Sequence, residues 1–199
     1  MLATVPVPVS IMFSIAQDRL ADDALLKTYR GGVRPERWGR YGDCFSVTVD
    51  RAVNLAEFVF AFYTSPVFRI ERWLLRALVG APSSDSGAHA LADGSAASFA
   101  VWYVGKRTAT QLLMCDRYER TRSWFRVVSL DGGRTLLQFG SAIAAERTER
   151  ADRADRADRA GGRALGRRFQ LLLGFHVFYS QLLLHAAKIG VTKTPKAAS

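Results

Sequence analysis

Residues 165–189 read LGRRFQLLLGFHVFYSQLLLHAAKI and form the most apolar stretch of the sequence. Its apolar part, residues 169–187, is nearly as long as the roughly 20 apolar residues that cross a bilayer. At about 100° per residue, however, its polar residues fall along one stripe and its large apolar residues along the opposite side. This pattern predicts a long amphipathic helix that packs on a sheet and turns its other face to water. A helix on the membrane surface, or one that spans the membrane, is the alternative interpretation.

Upstream of this helix, short alternating runs predict an antiparallel sheet. The run DCFSVTVD at 43–50 alternates with a period of two, as a half-buried strand does. Further strand-like runs follow it, and Asp131-Gly132-Gly133 is a hairpin signal before the last of them. Because their connections are short, the runs predict an antiparallel meander, which gives about five strands in all: 43–50, 99–104, 111–116, 123–130 and 134–143.

A pair of helices is predicted between the first strand and the meander. Asn54 with Glu57 three residues later resembles a capping box and marks the first helix start. That helix ends at Ser65-Pro66, where proline suits the first turn of a second helix. The second helix carries apolar residues on one face, and on another face, at spacings of three and four, it carries three arginines: Arg69, Arg72 and Arg76.

Charge and cysteine content narrow the function classes. The sequence has 28 Lys+Arg against 18 Asp+Glu, a formal net charge of +10, which favours binding to nucleic acid or to an anionic membrane. The basic residues are scattered rather than gathered in a stripe, so no nucleic-acid partner is predicted. Cys44 and Cys115 lie in apolar segments and are expected to be buried free thiols of a reduced, cytoplasmic compartment. The three histidines have no zinc-site spacing, so no metal or other cofactor is predicted.

Composition divides the chain into three parts. Residues 1–40 are expected to be a partly ordered arm, since their apolar start lacks the basic residues and cleavage site of a secretory signal. Residues 41–189 are expected to form one domain, with a low-complexity insertion at 147–162 that repeats Ala-Asp-Arg three times. Residues 190–199 are expected to be a disordered tail.

The order of elements is strand, helix pair, meander and long C-terminal helix. The segments that carry it are DCFSVTVD (43–50), the helix break SPVF (65–68), LLMCDRYERTRSWFRVV (112–128), LLQFGSAI (136–143) and LGRRFQLLLGFHVFYSQLLLHAA (165–187). This order resembles the helix-grip (SRPBCC-type) architecture of the START and Bet v 1-like superfamily, above all its uncharacterised bacterial members. The resemblance implies an α+β fold in which the long helix packs on a curved antiparallel sheet. Members usually have six or seven strands, so the missing strands are expected between Gly80 and Ala97, or the fold is a reduced variant.

The same resemblance implies an apolar cavity between the sheet and the last helix. Its expected lining is aromatic, with Trp102, Trp124, Phe139, Phe175 and Tyr179 as candidates, although most of them are better explained as ordinary core. Asp116 and Arg122 are candidate polar anchors for a carboxylate or hydroxyl, if their strand faces point inward. His176 lies at the edge of the helix's apolar face and is either a core histidine or a polar group aimed into the cavity.

These candidates lead to one prediction and two alternatives. The prediction is a protein that binds a small apolar molecule or lipid, without catalysis and without an assigned catalytic residue. The first alternative is an enzyme of the cyclase or hydratase type, in which Asp116 and His176 would form an acid/base pair. The second is a basic module at a membrane surface or a protein interface, acting through Arg69, Arg72 and Arg76. The oligomeric state stays open.

Overall fold

The structure is a computed structural model that describes residues 15–32, 42–143 and 164–193, with the side chains of residues 78, 79, 143 and 164–177 outside that description. Strands and helices follow one another in blocks, which defines an α+β fold. In chain order the elements are β1 (Ala16–Gln17), α1 (Leu25–Thr28), β2 (Gly42–Val49), α2 (Leu55–Tyr63), α3 (Pro66–Val79), α4 (Asp85–Asp93), β3 (Ser98–Phe99), β4 (Trp102–Arg107), β5 (Gln111–Asp116), β6 (Thr121–Leu130), β7 (Arg134–Ile143) and α5 (Ala164–Lys193).

Within the described ranges, seven strands form one sheet in the order β1-β2-β7-β6-β5-β4-β3. Every neighbouring pair is antiparallel. The β6–β7 hairpin turns at Asp131–Gly133, where Gly132 and Gly133 have φ of 73° and 72°, values that favour glycine. The hairpin predicted from Asp-Gly-Gly is therefore confirmed.

Local sequence fixes the helix pair. Asn54 Oδ1 accepts the Glu57 backbone N–H at 2.8 Å, and Glu57 Oε2 accepts the Asn54 N–H at 3.0 Å, which completes the capping box. Ser65 Oγ accepts the Phe68 N–H at 3.2 Å, and Pro66 is the first residue of α3. The predicted capping box and the predicted break at Ser65-Pro66 are both confirmed.

Apolar side chains cover both faces of the sheet. On the inner face, α2, α4 and α5 pack on side chains such as Phe45, Phe125 and Phe139 and form the main core. On the outer face, α1 and the segment around it cover a smaller cluster that includes Leu113, Cys115 and Trp124. Successive residues of a strand point to opposite faces, so Leu112 belongs to one core and Leu113 to the other. Cys44 and Cys115 are buried free thiols on the outer face, as predicted.

Two expectations about the elements need correction. Residues 80–97 hold no strand in this structure and form α4, so the extra strands are elsewhere: β1 lies in the predicted arm, and one expected strand is divided into β3 and β4. The last helix continues to Lys193, beyond Ile189, so the first four residues of the expected tail are helical. The insertion at 147–162 lies outside the described residues.

The last helix packs on the sheet, where it contacts β2 and β7. Leu183, Leu184, Ala187 and Val191 of α5 are buried in the main core. Among the residues that the structure describes, no helix combines the length and the apolar character needed to cross a membrane.

Candidate ligand-binding site

The inner face of the sheet carries an apolar row of residues next to a more polar row. Phe45, Phe139, Phe125 and Leu112 lie side by side on β2, β7, β6 and β5 and form an apolar row. Two residues further along each strand, and therefore on the same face, lies a second row. This second row, here called the polar row, consists of Asp43, Ser141, Ser123 and Met114.

The centre of the polar row is a hydrogen-bonded pair. Asp43 Oδ1 accepts the Ser141 backbone N–H at 3.0 Å and the Ser141 hydroxyl at 2.6 Å. Both residues are buried, so these bonds offset the cost of removing a carboxylate from water. A row of hydroxyls and a carboxylate therefore faces the helices at this end of the sheet.

Helix α5 is anchored at its carboxyl end. Arg51, just past the end of β2, donates its Nε–H to the Val191 carbonyl at 2.8 Å. The helix contacts β2 and β7 on the inner face of the sheet. Tyr179, one of the predicted site residues, lies near the middle of α5 and packs half-buried against the main core.

Tyr179 forms a hydrogen bond with Glu71 of α3, and its phenol donates to Glu71 Oε2. Both side chains are half-buried. Burial raises the pKa of Glu71 above its ordinary value, and the hydrogen bond from Tyr179 offsets part of that rise. Burial and the charge of Glu71 together raise the pKa of Tyr179, so the phenol keeps its proton and donates it.

Tyr63 extends this pair into the core. It is buried and packs edge-on against Phe68, with ring centroids 4.8 Å apart. Burial, followed by the charge of Glu71, raises the pKa of Tyr63. Glu71 is thus a carboxylate at the edge of a dense aromatic core.

The other predicted residues of the inner face have less freedom than a cavity lining requires. Phe139 is 4% exposed, and its ring lies 4.8 Å from that of Phe62. Trp102 is half-buried and packs 5.9 Å from Phe68. Asp116 has the strand parity of the inner face, but its carboxylate accepts the backbone N–H groups of Tyr118 and Arg120 in the β5–β6 turn.

Arg122 and Trp124 lie on the outer face, so the structure does not bring them together with Tyr179. Arg122 is 1% exposed, lies over the ring of Tyr29 and donates to the Gly31 carbonyl at 2.7 Å. Trp124 donates its indole N–H to Gln111 Oε1 at 2.8 Å, within the outer cluster. Both side chains hold the segment around α1 on the sheet, which is a structural role.

The outer face also holds both thiols in an unreactive form. Burial raises the pKa of Cys44 to about 12. Burial likewise raises the pKa of Cys115, although Arg122 and Tyr103 act in the opposite direction. Burial lowers the pKa of Arg122, which the neighbouring Cys115, Tyr29 and Glu119 oppose. Neither thiol is therefore a ready nucleophile.

Phe175 and His176 lie in the backbone of α5, but their side chains are outside the described residues. The acid/base pair of Asp116 and His176 therefore stays a prediction. Within the described ranges, no group of three or more His, Cys, Asp or Glu side chains could hold a metal ion.

A groove of about 380 Å³ lies at the opposite end of the sheet, between the start of α2 and the β6–β7 hairpin. Arg51 and Arg134 line it, but their Nε–H groups donate to the carbonyls of Val191 and Asp131. Asn54 and Glu57 also line it and are engaged with each other in the capping box. The polar lining of this groove therefore already serves the fold.

Sequence reasoning missed the residues that define the site most clearly, namely Asp43, Glu71 and Ser141. The sequence does indicate Asp43, because it begins the alternating run 43–50 and points to the same face of the strand as Phe45. It indicates Glu71 more weakly, as an acidic residue among the arginines of α3. Its partner Tyr179 is 108 residues away, a separation that no local pattern spans.

Comparison with known proteins assigns no function to this chain. No protein-family model matches the sequence, and no curated protein matches it. The structure is similar to that of a conserved protein of unknown function from Enterococcus faecalis, at 13% sequence identity and a TM-score of 0.36. The similarity covers 81% of this chain and 78% of that one.

Proposed function

We propose that this chain is a helix-grip protein of the START and Bet v 1-like type that binds a small apolar molecule between the sheet, α3 and α5. The molecule carries a hydroxyl or an amine, and the protein binds it without catalysis. The observation that carries the proposal is the Glu71–Tyr179 pair, a half-buried carboxylate with a raised pKa at the edge of an aromatic core. Perturbed carboxylates in apolar surroundings concentrate at functional sites.

The acidic side chains at the proposed site favour a ligand whose polar group is a hydrogen-bond donor. Asp43 is on the inner face of the sheet and Glu71 is on α3, whereas Arg122, the expected anchor for a carboxylate, is on the outer face. A carboxylate ligand beside Glu71 would meet a like charge, which disfavours it. A hydroxyl or an ammonium group would instead donate to Glu71 or to the hydroxyls of the polar row.

The surrounding side chains support an apolar body for the ligand. Met114 continues the polar row toward β4 as an apolar side chain buried in the main core. Tyr179 is a half-buried aromatic residue that packs against the main core without being enclosed by it. An apolar surface with a few convergent polar groups is the usual composition of a small-molecule site.

The test compares two probes of equal chain length, 1-decanol and decanoate, by isothermal titration calorimetry near neutral pH. The alcohol is expected to bind at least about tenfold more tightly, because the acidic groups repel decanoate. Glu71→Gln should reduce this preference by strengthening decanoate binding, since it removes one negative charge from the site. Asp131→Asn removes a negative charge from the β6–β7 turn and is the matched control, expected to leave the preference unchanged.

Two results would contradict the proposal. If 1-decanol and decanoate bind the wild-type chain equally, the acidic face does not select the ligand. If neither probe binds while the chain remains folded by circular dichroism, the space between α3, α5 and the sheet is ordinary core.

A further inference from the structure

Helix α3 turns its apolar residues toward solvent. Ile70 is 64% exposed, Trp73 66% and Leu74 42%. At about 100° per residue these three share one sector with Ala77, which is also exposed. We call this set, Ile70, Trp73, Leu74 and Ala77, the outer stripe of α3. A surface helix of a folded protein normally presents its polar residues to water, so a contiguous apolar stripe of this kind marks an interaction site.

The arginines of α3 do not form the single stripe that the sequence predicts. Arg72 is turned inward, where it donates to Asp85 and to the Ser83 carbonyl and lies over the Phe99 ring. Arg69 and Arg76 are exposed, next to Trp73 at one edge of the outer stripe. Arg69 also bonds Asp85 at 2.6 Å. The exposed surface is therefore an apolar stripe with a basic edge.

We propose that the outer stripe of α3 docks on a membrane that contains anionic lipids. Trp, Ile and Leu beside arginine form the composition with which an interfacial helix enters the headgroup region. Charge complementarity selects the membrane over a second copy of the chain. A membrane of negative surface potential attracts a chain of net charge +10, whereas two such chains repel each other.

This proposal does not rest on the ligand site, because the outer stripe and Glu71 occupy different sides of α3. Phe68 and Glu71 face the core and α5, while Ile70, Trp73 and Leu74 face outward. If both proposals hold, one helix forms a wall of the ligand site and also contacts the membrane. An apolar molecule could then move between bilayer and protein with a short exposure to water.

The test uses the full-length chain with two kinds of vesicle, pure phosphatidylcholine and equal parts of phosphatidylcholine and phosphatidylglycerol. Co-sedimentation measures the partition of the protein onto each. The wild-type chain is expected to bind the anionic vesicles and to be released as salt is raised. Replacing Ile70 and Trp73 together by serine should weaken this binding at least about tenfold. Arg76→Gln should weaken it about fivefold, since one basic residue near the surface contributes roughly 1 kcal/mol.

Ile189→Ser is the matched control. Ile189 is also exposed, but it lies ten residues along α5 from Tyr179, about 15 Å away by helical rise, and outside the outer stripe. It should bind like the wild type. Each variant changes an exposed residue, and its thermal unfolding, followed by circular dichroism, verifies that it is folded.

Three results would overturn the proposal. The first is wild-type protein that stays in the supernatant with both vesicles. The second is a double serine variant that binds as the wild type does. The third is a wild-type dimer in light scattering that the double serine variant converts to monomer, which would make a second copy the partner of the outer stripe.

Discussion

Phe139→Ala measures whether the apolar row is core or cavity lining. Phe139 is 4% exposed, and its ring lies 4.8 Å from Phe62 and 5.2 Å from Phe125. Losing the buried ring removes about 2 kcal/mol of transfer free energy and about 1 kcal/mol for each of the two ring contacts. The expected loss of unfolding free energy is therefore about 4 kcal/mol, within the range of about 3 to 5 kcal/mol that Phe→Ala changes cost in packed cores.

Urea unfolding followed by far-ultraviolet circular dichroism gives this number directly. In a chain of 199 residues, the loss should also lower Tm by about 8 to 16 °C. Phe178→Ala, at an exposed position of α5, is the control and should change the free energy of unfolding by less than about 0.5 kcal/mol. A loss below about 1.5 kcal/mol for Phe139→Ala would refute the reasoning, because it would mean that the ring borders open space.

The remaining predictions concern the outer face, the buried carboxylate and the capping box. Arg122→Leu should lower the free energy of unfolding by about 2 to 3 kcal/mol, because the carbonyls of Tyr29 and Gly31 lose their buried donor. Arg126→Leu, which breaks the more exposed pair with Asp23, should cost less than about 1 kcal/mol. Urea unfolding measures both losses, and equal losses would contradict the role of Arg122 in holding the segment around α1 on the sheet. The folded chain binds the proton of Glu71 more tightly than the unfolded chain, so its contribution to stability is present below pH 4.5 and is lost as pH rises through the raised pKa. Glu71→Gln should abolish this loss of stability with rising pH, which thermal melts at a series of pH values measure. A dependence of Tm on pH identical to that of the wild type would contradict the prediction. Asn54→Ala should cost about 1 kcal/mol in a thermal melt through loss of the capping box, and a change near zero would mean that the box is not needed.

Local signals in the sequence predict much of this fold, because they act over a few residues. Asn54 and Glu57 mark the start of α2, Ser65-Pro66 separates α2 from α3, and Asp131-Gly132-Gly133 turns the last hairpin. Each works through nearby backbone groups. Strand β1 has only two residues, Ala16–Gln17, which is too short for a period of two to be recognised.

The sequence does not show which side chains of each strand point into the main core, because both faces of this sheet are apolar. Leu112 and Phe125 enter the main core, while Leu113 and Trp124 enter the outer cluster. An alternation of polar and apolar residues identifies a buried face only when the other face meets water. With α1 covering the outer face, the sequence of β5 and β6 does not distinguish the two faces, and this is why it predicts Arg122 and Trp124 as lining residues.

The candidate site depends on contacts between distant segments. Asp43 meets Ser141 through the pairing of β2 with β7, and Glu71 meets Tyr179 through the packing of α3 on α5. Tyr179 could be proposed from the apolar face of the last helix, but its partner could not. The raised pKa of Glu71 likewise follows from burial that only the assembled core provides.

Photolabelling with an alkanol that carries a diazirine in its chain tests the central claim most directly. After irradiation and proteolysis, mass spectrometry locates the labelled peptides. The account predicts label on α3, on α5 near Tyr179 and on the strands of the polar row, and unlabelled 1-decanol should suppress it. Label on the outer-face peptide that holds α1, or label that excess 1-decanol does not reduce, would contradict a ligand site between the sheet, α3 and α5.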